Sequence, residues 1–409
     1  MKNVLKKLML SKKCPNFLRK KMMRNNLNVD VNVIEDNNIV IKVAETDDEL
    51  FQAFSLVQKM YEKGKIVDRN TTGLRVTKFH LLPTTKVIVA KIGDEVIGTV
   101  SQIMDTPLGL PIDDFISLDN LRKYSKRICE ISSLAISEKW RSNSKGLFYP
   151  LTLFSIYYAK KVTSADRLVI VTNERARYVY EDIFLFDPLT INSAEYTSVN
   201  DDHAFAQKLD LDQFESRCFQ AYAEMPEEKN LYRMYSSPKW KEHLKIDDGY
   251  YNTIPLMRFN KSTLDVFFDE LGMLNELKDS EKQVIYNLYS IFEGSYGENF
   301  YIHQRRFPRF YAKMKSEIHI SGSVYDAECI EISRGGASLV LFDNCELQKG
   351  QEFTMKVYLS DYNICEIRTK VIWKTNNTIG VEVLIDKISD WYHQIDKLEE
   401  VMLSRQLRA

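Results

Sequence analysis

The sequence predicts two parts of different fold class. An α/β domain spans residues 39–215, an all-β, six-stranded barrel spans 299–390, and a helical connector (216–298) joins them. Three observations predict this. Between Ile39 and about residue 215, β-rich runs alternate with amphipathic stretches of helical period. Beyond residue 310 the texture changes to short β-rich runs separated by Gly and Asn. The chain is 409 residues long, 44% hydrophobic and 28% charged, which is enough for two or three domains with their own cores.

Composition excludes several classes. The chain has 56 Lys plus Arg against 57 Asp plus Glu, so it lacks the broad basic field of a general nucleic-acid binder. Its six cysteines are scattered without a C-x-x-C pair and read as reduced thiols in a cytosolic protein. With six histidines and no His/Cys pairing, no metal site is expected. No run of 18 apolar residues suggests a transmembrane helix. The first element, 1–38, is a basic extension with nine Lys or Arg before residue 25 and no acid before Asp30. It reads as a frayed tail or as a basic helix, with Val4, Leu5, Leu8, Met9 and Leu10 on one face, against an anionic membrane or an acidic protein.

In the α/β part, "IVIKVAE" reads as a strand. In the following helix, Thr46 and Glu49 have capping-box spacing, and Leu50, Phe54, Val57 and Tyr61 recur on one face. "KVIVAKIGDEVIGTVSQIM" is a hairpin turning at Gly93-Asp94. "RICEISSLAIS" is a strand, "GLFYPLTLFSIYYAKK" a helix, "DRLVIVTN" a buried strand and "ERARYVYEDIFLF" a helix. Residues 200–298 read mainly as helices and loops, completing the first domain and forming the connector; Ser280 and Gln283 form a second capping box. Six strands follow: "KMKSEIHIS", "VYDAECIEIS", "GASLVLF", "EFTMKVYLS", "CEIRTKVIWKT" and "TIGVEVLI". The last segment, 391–409, is a helix with Trp391, Ile395, Leu398 and Met402 at core spacing.

Chemistry concentrates at two places. The segment 299–316 has no acid but carries Arg305, Arg306, Arg309, Lys313 and Lys315. About twenty residues later, "EISRGG" (331–336) leaves a strand into a Gly-Gly turn. Guanidinium groups give forked hydrogen bonds to phosphates and stack on purines. A solvated basic face is the simpler account of the arginines alone. Together with a six-stranded barrel, they resemble the PilZ domain and its motifs Arg-x-x-x-Arg and Asp/Asn-x-Ser-x-x-Gly. The resemblance implies that cyclic di-GMP docks on Arg305, Arg306, Arg309, Glu331, Ser333 and Gly336, as a small dianion rather than a nucleic-acid polymer. Glu331 departs from the motif by one methylene.

In the α/β part, "RSNSKG" (141–146) precedes a helix, where free N–H groups favour a phosphate; an ordinary polar loop fits the residues too. "NERARYVYE" places Tyr180 where a phenol can protonate a thiolate, or simply fill a core. Glu130 is a carboxylate inside an apolar strand, costly unless used or paired. In this order the features resemble the GNAT acyltransferase fold. "LRVTKFHLLPTT", "DTPLGLP", "CEISSLAI" and "LFDPL" resemble its N-acyl amino acid synthase (FeeM-like) branch, related to acyl-homoserine-lactone synthases. That resemblance implies transfer of a fatty acyl group from acyl carrier protein, or acyl-CoA, to a small amine or amino acid in a cleft between two central strands. It makes Glu130 the base and Tyr180 the acid. Arg141, Ser144 and Gly146 hold the pantetheine phosphate, Asn173 bonds the pantetheine arm, and Arg75 and Asp105 line the amine pocket.

Together these features predict a cytoplasmic acyltransferase, peripheral at the inner membrane surface if the basic tail adheres there, with cyclic di-GMP as its regulatory ligand. The other open reading keeps the α/β domain catalytically idle, in a cyclic di-GMP effector that acts by binding another protein.

Overall fold

The structure is a computed structural model. Residues outside its description are 1–13, 31, 83, 107, 126, 142–145, 164, 191–193, 197–201, 238–243, 246–260, 280, 283–284, 286–308, 343–344, 361–362, 375–376, 385–390, 394 and 397–409. The chain divides into two compact units. The first comprises Met1–Val76, Thr85–Leu121 and Arg127–Ile246, the second Thr77–Thr84, Arg122–Lys126 and Asp247–Ala409. Among the described residues, no helix is long and apolar enough to cross a membrane.

The first unit is built on a nine-stranded sheet. Its strands are β1 (Val40–Val43), β2 (Lys86–Ile92), β3 (Glu95–Met104), β4 (Ile128–Ile136), β5 (Arg167–Asn173), β6 (Asp187–Pro188), β7 (Ala194–Tyr196), β8 (Asp202–Asp210) and β9 (Leu244–Lys245). Their order is β6-β8-β5-β4-β3-β2-β1-β9, with β7 also paired to β8. The β2–β3 hairpin turns at Gly93, whose φ of 56° suits a residue without Cβ. Strands β3 and β4 are antiparallel, whereas β4 and β5 are parallel, because a helix makes the crossover between them.

The helices bearing on the site are α1 (Asn16–Asn25), α2 (Asp47–Lys63), α3 (Phe148–Lys161), α4 (Glu174–Asp182), α5 (Phe214–Tyr222) and α6 (Leu231–Ser236). Helix α3 is the β4–β5 crossover; Leu151, Leu153, Phe154, Ile156 and Ala159 are all fully buried. Helices α5 and α6 supply Phe214, Cys218, Tyr222, Leu231, Met234 and Tyr235 to the same core, so the chain after residue 215 completes the first unit. The basic composition leaves a frayed tail or a docking basic helix open; residues Asn16–Asn25 form a helix seated on the first unit. Buried Arg19 donates from Nε and Nη2 to both carboxylate oxygens of Asp182, at 2.7 and 3.1 Å, and lies over the Tyr178 ring at 4.0 Å. Arg24 donates to the carbonyls of Asp182 and Ala221. Phe17 and Leu18 are left on the exposed side, at 74% and 38%, beside the exposed Lys20 and Lys21.

The second unit contains a closed barrel of β10 (Arg309–Ile320), β11 (Ser323–Ser333), β12 (Gly336–Leu341), β13 (Glu352–Ser360), β14 (Asn363–Lys374) and β15 (Thr378–Val383). They close in the order β10-β11-β12-β15-β14-β13, every described pairing antiparallel. Closure leaves no free sheet edge. The core holds Met314, Ile318, Cys329, Ile332, Leu339, Met355, Val371 and Ile379. Trp391 and Ile395 of the C-terminal segment are fully buried against it.

At the start of α2, the Thr46 side chain accepts the Glu49 amide, as the capping-box spacing predicts. The reciprocal bond differs. Glu49 reaches the Glu45 amide at 2.9 Å instead, and its carboxylate also pairs with Lys91 at 2.8 Å and Lys42 at 3.1 Å. Burial alone would raise the Glu49 pKa, but the bonds from Lys91, the Glu45 amide and Lys42 lower it to about 2. A depressed carboxylate contributes stability above its unfolded pKa, ordinarily 4.5, that is lost as pH falls toward 2. Glu49→Gln removes the carboxylate shared by Lys91 and Lys42, leaving Lys42 only its pair with Glu45, and should cost about 3 kcal/mol at neutral pH. In denaturant melts, the gap to wild type should close between the two pKa values.

Candidate functional site

Glu130 occupies the last residue of β4 that pairs with β5. The described register is Ile128↔Arg167, Cys129↔Leu168 and Glu130↔Val169. Beyond it, β4 runs on beside β3 to Ile136, and β5 runs on beside β8 to Asn173. The two central strands therefore part just past Glu130. A bulge accompanies the parting. Thr99 and Ser101 of β3 face Ala135 and Ser132 of β4, so Ser133 and Leu134 stand against the single residue Val100. Ser133 takes φ 53°, a left-handed conformation uncommon outside Gly and Asn. Such a bulge twists a strand away from its neighbour and takes an amide out of the ladder.

Glu130 is 2% exposed. Its Oε2 accepts the Ile112 amide at 2.8 Å, from the one-turn helix Pro111–Asp114. That turn is shaped by Asp113, whose Oδ2 accepts the Leu110 amide at 2.7 Å. Burial pushes the Glu130 pKa well above the carboxylate range. The Ile112 bond opposes this, while the charges of Asp113, Asp114 and Asp105 add to it. Asp105 thus belongs to the electrostatic surroundings of Glu130. The turn residues Ile112 to Asp114 carried no local sign of contact with the strand; only chain folding brings them there.

Tyr180 lies among aromatic rings. Its ring centroid is 5.5 Å from Phe186, 5.7 Å from Phe184 and 6.1 Å from Phe148, the first residue of α3. Burial raises its pKa, and the nearby Tyr61 adds to the shift, so the phenol holds its proton firmly. Arg75 lies over the Tyr61 ring at 5.5 Å, and Tyr61 in turn acts electrostatically on Tyr180. Asn173 caps α4, its Oδ1 accepting the Ala176 amide at 3.0 Å. Arg141 is exposed at the end of the short helix Glu138–Arg141. Ser144 lies outside the described residues. Gly146 takes φ 53°, and helix α3 begins two residues later with no side-chain cap from its N-cap residue Leu147.

In the barrel, Arg305 and Arg306 lie outside the described residues. Arg309 opens β10 and pairs with Ser333 of β11, and Tyr311 pairs with Glu331. The end of the arginine segment and the "EISRGG" hairpin are thus adjacent in register. Ser333 donates to the Gly336 carbonyl at 3.2 Å, and its own carbonyl accepts the Trp391 indole N–H at 2.9 Å. Arg334 pairs with Asp396 at 2.6 Å. Gly336 is required by packing: a Cβ there would stand 2.2 Å from the Val381 carbonyl oxygen of β15. Close approach of a ligand is therefore not the only reason for glycine at this position. Among the described residues, no group of three or more His, Cys, Asp or Glu is placed to hold a metal ion.

Residues 52–210 match the family model of the N-acyl amino acid synthase FeeM, and residues 303–396 match that of the PilZ domain. FeeM, an N-acyl amino acid synthase from uncultured soil microbes, is 22% identical over 45% of this chain and 96% of its own, with a TM-score of 0.39. BjaI, a CoA-dependent acyl-homoserine lactone synthase, is 16% identical over 44% of this chain and 89% of its own, with a TM-score of 0.36. The PilZ domain of YcgR from Escherichia coli, with c-di-GMP, is 16% identical over 26% of this chain and all of its own, with a TM-score of 0.22. None of the curated proteins matches this chain.

Folded Glu130 keeps its proton at pH values where the unfolded chain releases it. Its stabilising contribution is full below its unfolded pKa, ordinarily 4.5, and is lost as pH rises toward the folded pKa. Glutamine has no such dependence and can still accept the Ile112 amide. Thermal melts of Glu130→Gln should therefore gain on wild type as pH is raised from acid to neutral. A variant that loses ground over that range would contradict the environment described.

Proposed function

We propose that this chain, with an N-acyl amino acid synthase domain of the FeeM family over residues 52–210 and a PilZ domain over residues 303–396, transfers a fatty acyl group from a carrier thioester to a small amine under control of cyclic di-GMP. The observation that carries the first half is the buried Glu130 carboxyl where β4 and β5 part. A carboxyl with raised proton affinity suits a base working near neutral pH. Asp105, Asp113 and Asp114 make its surroundings negative, which favours an amine that arrives as an ammonium ion, such as that of an amino acid.

In this reading the arriving ammonium charge favours the ionised form of Glu130, and the carboxylate so formed accepts the ammonium proton. The freed nitrogen attacks the thioester carbonyl, the C–N bond forms, the C–S bond breaks and the thiolate departs. Tyr180, protonated in its aromatic surroundings, gives its proton to the sulfur, and the second proton that the nitrogen sheds on becoming an amide restores the phenol. The amide taken out of the ladder at the Ser133–Leu134 bulge is a candidate donor to the developing oxyanion. Arg141, Ser144, Gly146 and the uncapped start of α3 receive the pantetheine phosphate. Asn173 is left to bond the pantetheine arm with the part of its amide not used as a cap. Much of the rate comes from aligning amine and thioester. The donor is acyl carrier protein rather than acyl-CoA; the exposed Phe17 and Leu18 beside Lys20 and Lys21 suit an acidic carrier.

Thiol release from a long-chain acyl carrier protein, and from the matching acyl-CoA, measured with a panel of amino acids, tests this half. Release should depend on the amine, and Glu130→Gln should lower it about 100-fold with the fold intact. Unchanged turnover in the variant rejects Glu130 as the base. Absence of amine-dependent release from either donor, in a folded and nucleotide-binding protein, favours the idle-domain reading.

For the second half, support comes from the pairing of Arg309, the last residue of the arginine motif, with Ser333 of the second motif. Guanidinium forks and stacking suit the phosphates and guanines of a cyclic dinucleotide. Calorimetry should show wild type binding cyclic di-GMP and Arg309→Ala binding at least tenfold more weakly, the loss of one charge-assisted pair. Equal heats for the two proteins reject the site. Added cyclic di-GMP should then change the rate of thiol release, in a direction the assay itself establishes.

A further inference from the structure

Glu331 stands where the PilZ motif has Asp or Asn, and it has one more rotatable bond to immobilise when a ligand binds. We propose that Ser338 is a further determinant of nucleotide binding, a positioning residue whose hydroxyl fixes the Glu331 carboxylate for the ligand. This rests on the cyclic dinucleotide reading above and adds to it a residue outside both motifs.

The backbone prepares the pair. In the β11–β12 ladder, Cys329 faces Leu339 and Glu331 faces Ser338, so Ile330 is an extra residue in a bulge. Cys329 and Ile332 both belong to the barrel core. Strict alternation from Cys329 would turn residue 331 to the core side as well. The inserted residue reverses the alternation, so Glu331, between the bulge and Ile332, is released from the core face. On β12 the core residues are Ala337 and Leu339, and Ser338 lies between them on the other face. Glu331 and Ser338 are therefore a cross-strand pair on one face, and the Ser338 hydroxyl donates to Glu331 Oε2 at 2.9 Å.

Ser338 is 5% exposed, so its hydroxyl is shielded from bulk water and directed at the carboxylate. A hydroxyl-to-carboxylate bond is charge-assisted and holds one oxygen in place before a ligand arrives. Guanine offers adjacent N–H donors on one edge, and a carboxylate held in one orientation can meet them without first losing rotamer freedom. The rest of the turn is braced as well: Ser333 bonds to Gly336, Trp391 to Ser333, and Arg334 to Asp396. A longer side chain at position 331 is thus accommodated by a partner across the hairpin.

The test is calorimetry of the full chain with cyclic di-GMP. Ser338→Ala should bind about tenfold more weakly than wild type, the loss of one hydrogen bond to a charged group. Ser338→Thr, which keeps the hydroxyl, should bind like wild type. In a Glu331→Ala background, Ser338→Ala should change affinity no further. Wild-type affinity in Ser338→Ala overturns the inference, as does an equal loss with and without Glu331, which marks Ser338 as merely structural. Equal weakening by Thr and Ala overturns it too. If wild type itself takes up no cyclic di-GMP, the binding reading falls and the inference with it. Binding by wild type with Ser338→Ala unchanged removes only the inference.

Discussion

The first unit is arranged around the cost of keeping a carboxyl group out of water within a sheet. Glu130 is met by one backbone amide, that of Ile112, and by the negative field of three aspartates. No cation is among the main influences on its pKa. A sheet built only for stability would place an apolar residue at this position, as β4 does at Ile128, Cys129 and Ile131. The surrounding features follow from the same place in the sheet. β4 and β5 stop pairing at Glu130, β4 bulges at Ser133, and the turn that covers the carboxyl is tied by Asp113.

The peripheral ion pairs contrast with this. Arg19 with Asp182, and Glu49 with Lys42 and Lys91, join charges of opposite sign at short range. They fasten α1 to α4 and the start of α2 to the sheet. For Arg19, Lys42 and Glu49, burial opposes ionisation but paired hydrogen bonds win, and these groups stay charged. Around Glu130 burial wins instead. That difference in outcome is what the proposed role of Glu130 as a base draws on.

The barrel uses backbone geometry for a similar end. One inserted residue, Ile330, releases Glu331 from the core face, and the short turn after Ser333 brings Gly336 so close to β15 that no side chain fits. The register then places Arg309 beside Ser333, about twenty residues away in sequence. Closure satisfies the strand edges, so the motif end of the hairpin can carry polar groups without exposing a pairing edge.

Much of this was legible in the chain. The period of apolar residues marked β1 to β5, α2, α3 and the six barrel strands, because burial on one face imposes a repeat of two or of 3.6 whatever the neighbours are. Glu130 stood out because an acid in an apolar strand demands an explanation, and the arginine and "EISRGG" segments because their residue types recognise phosphates and purines. Other features depended on contacts that no local pattern encodes. The helical seat of Asn16–Asn25 needed Asp182, the reach of Glu49 needed Lys91, the field at Glu130 needed Asp105, Asp113 and Asp114, and the setting of Glu331 needed Ser338. The sequence by itself determined the fold classes and the residue types available for chemistry, since both follow from periodicity and side-chain identity. Only the tertiary structure decided which of those residues share a low-dielectric neighbourhood, because pKa and positioning depend on distances between segments far apart in the chain.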